Sequence, residues 1–311
     1  MSAAGTPELL YLARGEVAEL LPDVQTQLDI VERTYRAVGA GEVELPPKPG
    51  VHPRKNAFIH AMPAFLHRED VAALKWVAGY PENKALGLPY ISGIVILNDA
   101  ATGLPTAVMD AAEITAARTA AASGVCVRRW ARDGWRTATI LGAGEQGRFH
   151  ARLLRALNPD AEITAYDPHA ERAAEVGTPV DDPREAVEAA DIVVSAAPIV
   201  EDPHPPIGPD WLGPETLALP IDFDASFTAD AITAADVFIA DDVEQFEYYR
   251  SLGHFAGWPE PAASVGEALQ RGLEGRRVAC CNLGIGALDA AFAAHVLAAA
   301  RERGAGTVLP R

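Results

Sequence analysis

Three glycines at positions 142, 144 and 147 are the clearest chemical signal in this sequence. They form the pattern Gly-x-Gly-x-x-Gly within TATILGAGEQGRFHARLL, residues 137–154. A β-branched apolar run precedes Gly142 and a helical pattern follows Gly144, so the glycines lie in the turn between a strand and a helix. Such a turn lets backbone N–H groups approach a pyrophosphate, and the N-terminus of the helix stabilises its charge. In this context the motif predicts a dinucleotide-binding unit.

An acidic residue further along indicates which dinucleotide binds. Asp167 ends the next predicted strand, 25 positions after Gly142. A carboxylate there accepts a hydrogen bond from the ribose 2′-hydroxyl and repels a 2′-phosphate. No arginine follows Asp167 within four residues. We therefore predict that the cofactor is NAD, with NADP disfavoured.

Lysine is scarce and clustered, which points to a second functional region. The chain has 22 arginines but only four lysines, at positions 48, 55, 75 and 84. Lys75 interrupts the apolar run VAALKWVAG, where a lysine either reaches the surface along its aliphatic stem or belongs to a site. We favour the site, because a compact ammonium with a tunable pKa is hard to replace by a guanidinium. Lys55 and Lys84 are interpreted as surface charges.

Composition restricts the partners and the location. The net charge is −17 and no basic run exceeds two residues, so nucleic acid and anionic membranes are not expected partners. Residues 1–15 show no secretory signal, and the most apolar segment, 287–300, is interrupted by Asp289 and His295. These features predict a cytoplasmic protein without a membrane span.

Cysteine and histidine spacing argues against a disulfide framework and against a metal site. The three cysteines, Cys126, Cys280 and Cys281, are odd in number, and two of them are adjacent. The eight histidines show no ligand spacing such as His-x-His or His-x-x-x-His. We therefore predict no bound metal and free thiols in a reducing compartment.

Hydrophobic patterning predicts two domains of α/β class. Before the glycine motif, strands are predicted at 9–12, 58–62, 71–77 and 91–97, and helices at 22–38 and 111–130. From the motif onwards, strands are predicted at 137–141, 161–166, 191–195, 217–222 and 236–240, with helices at 145–157 and 169–176. The alternation of strands and helices predicts a doubly wound parallel sheet of Rossmann type.

Five segments together resemble the ornithine cyclodeaminase/μ-crystallin family, which includes archaeal-type alanine dehydrogenases and ketimine reductases. The segments are, in chain order, LKWVAGYPEN, ISGIVILNDAATGLPTAVMD, ITAARTAAASG, ILGAGEQG and NLGIGALDAA. The resemblance implies a substrate-binding and dimerisation domain over 1–120, to which a C-terminal helix at 287–311 returns. It also implies an NAD-binding Rossmann domain over 121–286 and a homodimer.

The resemblance assigns the substrate site residue by residue. Lys48 stands where the family usually has a carboxylate-binding arginine, with His52 at the histidine that follows it. Lys75 matches the lysine that contacts the substrate carboxylate and a water, and Arg118 matches the arginine that clamps the carboxylate beside the cofactor. Leu283 is implied as a further substrate contact.

Asp224 in IDFDAS matches the family's catalytic aspartate, so the catalytic residues expected are Lys75 and Asp224. Asp222 is the rival, but strand alternation places it within the preceding strand, which leaves Asp224 better exposed.

The resemblance also implies the cofactor contacts. They are Arg118, Gly142, Gly144, Glu145, Gln146, Asp167, Ala197, Ile221 and Asn282.

Departures from the family pattern bear on the reaction. The cyclodeaminases resemble one another in a Cys-Pro-Gly-Lys-Thr-Glu run after the aspartate, whereas this chain has ASFTAD, with Thr228 in place of a lysine. We therefore favour an oxidoreductase that acts on a small amino acid or a cyclic imine. A cyclodeaminase that uses NAD catalytically is the alternative, and a non-catalytic NAD-dependent binding protein is a third possibility.

Overall fold

The computed structural model describes residues 8–199 and 202–310, and expectations for residues 1–7, 200–201 and 311 lie outside it. The chain forms two compact units. The first comprises 8–30, 41–118 and 285–310, and the second comprises 31–40 and 119–284. Residues 31–40, in the second half of the helix Val24–Gly39 and just after it, group with the second unit.

The first half of the chain is rich in strands. Its elements are β1 (Leu9–Leu12), α1 (Arg14–Leu20), α2 (Val24–Gly39), β2 (Val43–Glu44), β3 (Gly50–Val51), β4 (Phe58–Leu66), β5 (Val71–Gly79), β6 (Ile91–Asp99), β7 (Pro105–Asp110) and α3 (Ala112–Trp130). A short 3₁₀ helix at Pro81–Leu86 lies between β5 and β6.

The second half alternates strands with helices. Its elements are β8 (Thr137–Leu141), α4 (Glu145–Leu157), β9 (Glu162–Tyr166), α5 (Ala170–Val176), β10 (Thr178–Pro179), α6 (Pro183–Glu188), β11 (Ile192–Ser195), β12 (Leu217–Pro220), α7 (Ala229–Thr233), β13 (Val237–Ala240), α8 (Val243–Ser251), α9 (Val265–Arg271), β14 (Val278–Cys281), α10 (Gly286–Arg303) and β15 (Thr307–Leu309). None of the helices in the described part of the chain combines the length and hydropathy that a membrane span requires.

The first unit is built on a largely antiparallel sheet against which α10 packs. The strand order is β15-β1-β7-β6-β5-β4-β2, and β3 pairs with β4. Successive residues of β5 point to opposite faces, so Lys75 is buried while its neighbour Trp76 is exposed. Helix α10 packs on β4, β5 and β6, and Gly286 permits the approach, because a Cβ there would lie 2.8 Å from the Met62 carbonyl oxygen.

The second unit is the predicted parallel sheet. Its strand order is β10-β9-β8-β11-β12-β14-β13, and every pairing is parallel. Strands β11, β12 and β14 are buried along their whole length, as expected for a sheet with helices on both faces. In such sheets ligands bind outside the carboxyl ends of the strands, and all these ends lie at one edge here.

The C-terminal helix predicted at 287–311 ends earlier than expected. Helix α10 stops at Arg303 because Gly304 adopts a left-handed conformation, with φ 62°, in a glycine C-cap. Residues Thr307–Leu309 then form β15, which pairs antiparallel with β1. The chain end therefore returns to the first unit as an edge strand.

The strand predicted at 217–222 is also shorter in the structure. Strand β12 ends at Pro220, and Phe223 turns the chain with a φ of 60°. Alternation had placed Asp222 within this strand, but the structure places it outside, two residues after the strand ends. Strands β7 and β14 were not predicted, because apolar runs of four to six residues do not distinguish a buried strand from a helix.

Candidate active site

Lys75 is one of the most deeply buried side chains of the first unit, with 1 % of its surface exposed. It lies in the middle of β5, opposite Met62 of β4 and Val95 of β6, both of which are buried. Its Nζ donates to Asp289 Oδ1 at 2.8 Å and to Thr115 Oγ1 at 3.3 Å. The lysine is therefore held inside the unit and does not extend to the surface.

Arg118 shares the same carboxylate oxygen. Its Nε donates to Asp289 Oδ1 at 3.1 Å, and the arginine is 5 % exposed. Lys48 is also buried, and it is near enough for its charge to lower the pKa of Lys75. We call Lys48, Lys75 and Arg118 the cationic cluster. The structure thus brings together the three cations that the sequence assigned to a substrate carboxylate.

Burial changes the titration of Lys75. The loss of hydration and then the positive charge of Arg118 lower its pKa from 10.5 to about 7, although Asp289 opposes the shift. An amine with such a pKa exchanges its proton readily near neutral pH. The cluster can therefore bind an anion and also change its own charge in the physiological range.

Asp289 of α10 is a residue of this site that sequence reasoning missed. It is 1 % exposed, and its Oδ2 has no hydrogen-bond partner. Lys75 and Arg118 share one oxygen of this carboxylate, an arrangement that suits a second, external carboxylate. The sequence feature that could have identified Asp289 is its position as a single acidic residue in an Ala-rich apolar helix. In the sequence this residue served only as an argument against a membrane span.

The glycine motif forms a turn at the carboxyl edge of the second unit's sheet. Gly142 has a φ of 101°, and a Cβ there would lie 2.5 Å from the Ala196 carbonyl oxygen, so this glycine is required by the turn itself. Gly144 differs, because its φ is −76° and a Cβ would have no protein atom within 4 Å. The fold itself could therefore accommodate a side chain at position 144, and the absence of one leaves the turn open at the carboxyl edge of the sheet.

The residues around this turn fit a dinucleotide. Glu145 and Gln146 begin α4, and Gln146 Oε1 is buried without a hydrogen-bond partner. Asp167 follows β9, where its Oδ2 accepts from the Ala143 N–H at 2.9 Å and its Oδ1 from the His169 N–H at 3.0 Å. The open turn at Gly144 and the start of helix α4 leave room for a pyrophosphate beside backbone N–H groups, and the place of Asp167 at the ribose stays a prediction.

Asp167 should determine cofactor choice. We expect NADPH to bind at least about tenfold more weakly than NADH, or about 1.4 kcal/mol, because its 2′-phosphate would meet the carboxylate. Asp167→Ser should reduce the difference, whereas Asp181→Ser, at an exposed aspartate elsewhere in this unit, should not. Titration by nicotinamide fluorescence measures both affinities, and equal wild-type affinities would contradict the assignment.

A buried aspartate fixes the loops that follow β11 and β12. Asp222 accepts from Ser195 Oγ at 2.5 Å, from Ser226 Oγ at 2.6 Å and from the Ala197 N–H at 3.0 Å. Burial raises the pKa of Asp222 above its ordinary value. Ala197 and Ile221, both expected at the cofactor, lie in these two loops, so Asp222 supports the site from inside the sheet edge.

Asp224 follows two residues later and is more accessible than Asp222, at 8 % against 1 % exposure. Its Oδ2 accepts from the Phe255 N–H at 2.7 Å, and its Oδ1 lies 3.5 Å from His254 Nδ1. Burial alone would raise the pKa of Asp224, but the contacts with His254 and the Phe255 N–H outweigh it and lower the pKa. His254 was not identified from the sequence.

Asn282 and Leu283 follow β14 at the same sheet edge. Asn282 is 3 % exposed; its oxygen accepts from the Tyr35 hydroxyl at 3.4 Å, and its nitrogen donates to Ser123 Oγ at 3.4 Å. Leu283 belongs to the hydrophobic core of the second unit. The roles of Asn282 and Leu283 as ligand contacts stay predictions. The side chain of Asn282 is held by buried hydrogen bonds to Tyr35 and Ser123.

The chain is similar to proteins of known family and structure. Residues 10–279 match the model of the ornithine cyclodeaminase/mu-crystallin family. The nodulation efficiency protein NfeD of Rhizobium meliloti is 36% identical over 96% of this chain and 98% of its own length.

Two solved structures extend the similarity to the whole fold. One is the Thermococcus litoralis Delta(1)-pyrroline-2-carboxylate reductase in complex with NADH and L-proline, at 26% identity and a TM-score of 0.86, over 96% of this chain and all of that one. The other is an archaeal alanine dehydrogenase dimer with bound NAD, at 27% identity and a TM-score of 0.86, over 97% and 99%. The expectation drawn from the sequence is confirmed, and the chain belongs to the ornithine cyclodeaminase/mu-crystallin family.

Proposed function

We propose that this protein is an NAD-dependent oxidoreductase that acts at the Cα–N bond of a small amino acid or of a cyclic imine bearing a carboxylate. The observation that carries the proposal is the cationic cluster arranged around Asp289, in a chain that also has a turn fitting a dinucleotide. The related structures named above contain NADH or NAD, and one of them contains proline.

The chain's own residues would position and neutralise the substrate. Arg118, Lys75 and Lys48 would hold its carboxylate, and burial would strengthen the attraction by excluding water. NAD would supply the hydride chemistry at Cα when bound. Asp224, in the loop after β12, would provide the carboxylate of the relay that moves the nitrogen proton.

The surroundings of Asp224 favour an oxidoreductase over a cyclodeaminase. Phe223 and Phe227 on either side of it are buried apolar side chains, which suit an uncharged substrate better than the terminal ammonium of ornithine. Thr228, which stands in place of the cyclodeaminase lysine, accepts from the Ala231 N–H and caps α7. That position therefore has a structural role within this chain.

A screen of amino acids and cyclic imines tests the proposal. Each compound is incubated with NAD or NADH, while absorbance at the nicotinamide band and ammonia are followed together. We expect stoichiometric NADH consumption with a cyclic imine, or NADH production from an amino acid. Proline and ammonia formed from ornithine with no net change in NADH would instead support the cyclodeaminase.

The pKa of Lys75 predicts a pH dependence. In the free protein Lys75 carries its charge below about pH 7 and loses it above, because its pKa is lowered. We therefore expect kcat/KM for imine reduction to fall as pH rises through about 7, since the neutral amine holds a carboxylate weakly. Initial rates at saturating NADH measure this. A midpoint above pH 9, where an ordinary lysine begins to titrate, would show that burial does not set the pKa.

We propose that the protein is a homodimer joined through the open face of the first sheet. Trp76 and Ile94 are paired across β5 and β6 on the face opposite Lys75, and they are 44 % and 37 % exposed. Apolar surface exposed on a sheet face is the kind of surface that a protein interface covers. The related alanine dehydrogenase is described as a dimer.

Trp76→Glu should convert the dimer into monomers, because it places a charge within the apolar face. Leu252→Glu is the matched control, since Leu252 is 53 % exposed in the second unit. Sedimentation velocity distinguishes the two states. A wild-type monomer, or a Trp76→Glu variant that remains dimeric, would refute this interface.

We also propose a cytoplasmic location. Cys126, Cys280 and Cys281 are buried and none of the three forms a disulfide, which is compatible with a reducing compartment. Fractionation of cells that express the tagged chain would test it.

A further inference from the structure

His254 and Asp224 form a pair at the edge of the second unit's sheet. His254 Nδ1 lies 3.5 Å from Asp224 Oδ1, and the backbone N–H of Phe255 holds the other carboxylate oxygen at 2.7 Å. Asp224 is thus fixed on both oxygens, while 24 % of the His254 side chain remains exposed. The carboxylate is the more enclosed member of the pair, and the imidazole is the more exposed one.

The backbone next to this pair is strained. Within residues 8–199 and 202–310, four residues other than glycine have a positive φ. Asn56 and Asp70 are of types that tolerate this region, but Phe223 and Phe255, with φ of 60° and 58°, are not. Phe223 precedes Asp224 and Phe255 follows His254, so both unusual conformations adjoin the pair.

The two phenylalanines also pack together and enclose the histidine. Their ring centroids are 5.4 Å apart, and the Phe223 ring lies edge-on to His254 at 5.5 Å. Strained backbone of this kind persists when surrounding packing holds it, and it concentrates at functional sites. This packing fixes the distance between Asp224 and His254. Neither of the two loops would hold its residue at that distance by itself.

The groups around His254 differ in whether they can give or accept a proton at neutral pH. Besides Asp224, Tyr249 is a titratable group whose ring faces that of His254, at a centroid distance of 5.8 Å. Burial raises the pKa of Tyr249, so its hydroxyl stays neutral. Asp224 has a lowered pKa and is a carboxylate at neutral pH, which leaves it without a proton to give.

We propose that His254 is the group that exchanges a proton with the substrate nitrogen, and that Asp224 positions it. This inference rests on the proposed function. In the oxidative direction an amine and NAD yield an imine, NADH and one proton; the Cα–H bond breaks as hydride leaves for NAD, and His254 accepts the proton lost from nitrogen. In reduction His254 returns that proton. Asp224 fixes the ring orientation and stabilises the imidazolium, as a carboxylate does in other His–Asp pairs.

The experiment compares His254→Ala with the wild type, using whichever substrate the screen identifies. We expect kcat to fall by about 100-fold while the affinity for NADH is unchanged, as is usual for loss of an acid–base group. Added imidazole should restore at least a tenth of the lost activity, and substituted imidazoles should do so with rates that follow their pKa values. His204→Ala, at an exposed histidine in the same unit, is the control and should behave as wild type.

Two results would overturn the proposal. One is a His254→Ala kcat within threefold of wild type, and the other is a loss of activity that no imidazole restores, which would show a structural role. His254→Gln guards against misfolding, because its amide can still bond to Asp224 but cannot carry the proton; it should melt like wild type and remain inactive. If the wild type shows no turnover with any amino acid or imine, that result contradicts the proposed function itself, and with it the inference that rests on it.

Discussion

Lys75→Arg is expected to reduce turnover by about 100-fold or more while NADH binding remains intact. Arginine keeps the positive charge, but its guanidinium is larger and planar, and it stays charged at every accessible pH. The space around Lys75 Nζ is enclosed, with Asp289 and Thr115 in contact and 1 % of the residue exposed. The variant therefore loses the compact ammonium and its pKa of about 7 together.

The control for this variant is Lys55→Arg. Lys55 is exposed in the same unit, so the exchange there should leave kcat and stability unchanged. Steady-state kinetics with the identified substrate, together with an NADH titration, separate loss of chemistry from loss of cofactor. Near-normal turnover in Lys75→Arg would show that a fixed positive charge suffices and that the tuned amine has no part in the reaction.

Gly144→Val is expected to weaken NADH binding by about 100-fold, or about 2.8 kcal/mol, without unfolding the protein. The φ of Gly144, −76°, is one that valine adopts, and no protein atom lies within 4 Å of the added Cβ. The new side chain would occupy the space that we assign to the pyrophosphate, and it would keep the phosphates away from the backbone N–H groups of the turn.

Gly15→Val serves as the comparison, because a Cβ at Gly15 also has no protein atom within 4 Å and Gly15 lies in α1 of the first unit. Its NADH affinity should equal that of the wild type. Calorimetric titration gives the affinities, and thermal denaturation gives the Tm of both variants. An unchanged affinity in Gly144→Val, with the fold intact, would place the dinucleotide elsewhere.

The parts of this molecule that depend on local sequence were predicted well. Strand β8, the glycine turn and helix α4 follow one another within residues 137–157, and each has its own signal in hydrophobic period or glycine spacing. The α/β class and the family were likewise predicted, and the comparisons confirm both. The ends of elements were less accessible, since Gly304 ends α10 in a left-handed conformation and Phe223 turns the chain three residues after β12.

Partners that lie far apart in sequence could not be predicted from it. Asp289 pairs with Lys75 from 214 positions away, and no pattern in an Ala-rich helix indicates which buried cation its carboxylate will contact. His254 lies 30 positions from Asp224, in a loop that becomes informative only when the positive φ of Phe255 is known. Such contacts arise from packing, so they require the three-dimensional structure.

The most direct test of net hydride transfer at the Cα–N bond follows an isotope. The protein is given NADH carrying deuterium at C4, in the position that it transfers, and a cyclic imine such as Δ1-pyrroline-2-carboxylate. Mass spectrometry of the product and the nicotinamide absorbance are then recorded together. We predict one deuterium at Cα of the amino acid product for each NADH oxidised. Conversion of ornithine to proline and ammonia with catalytic NAD, with no NADH consumed by any imine, would contradict this account.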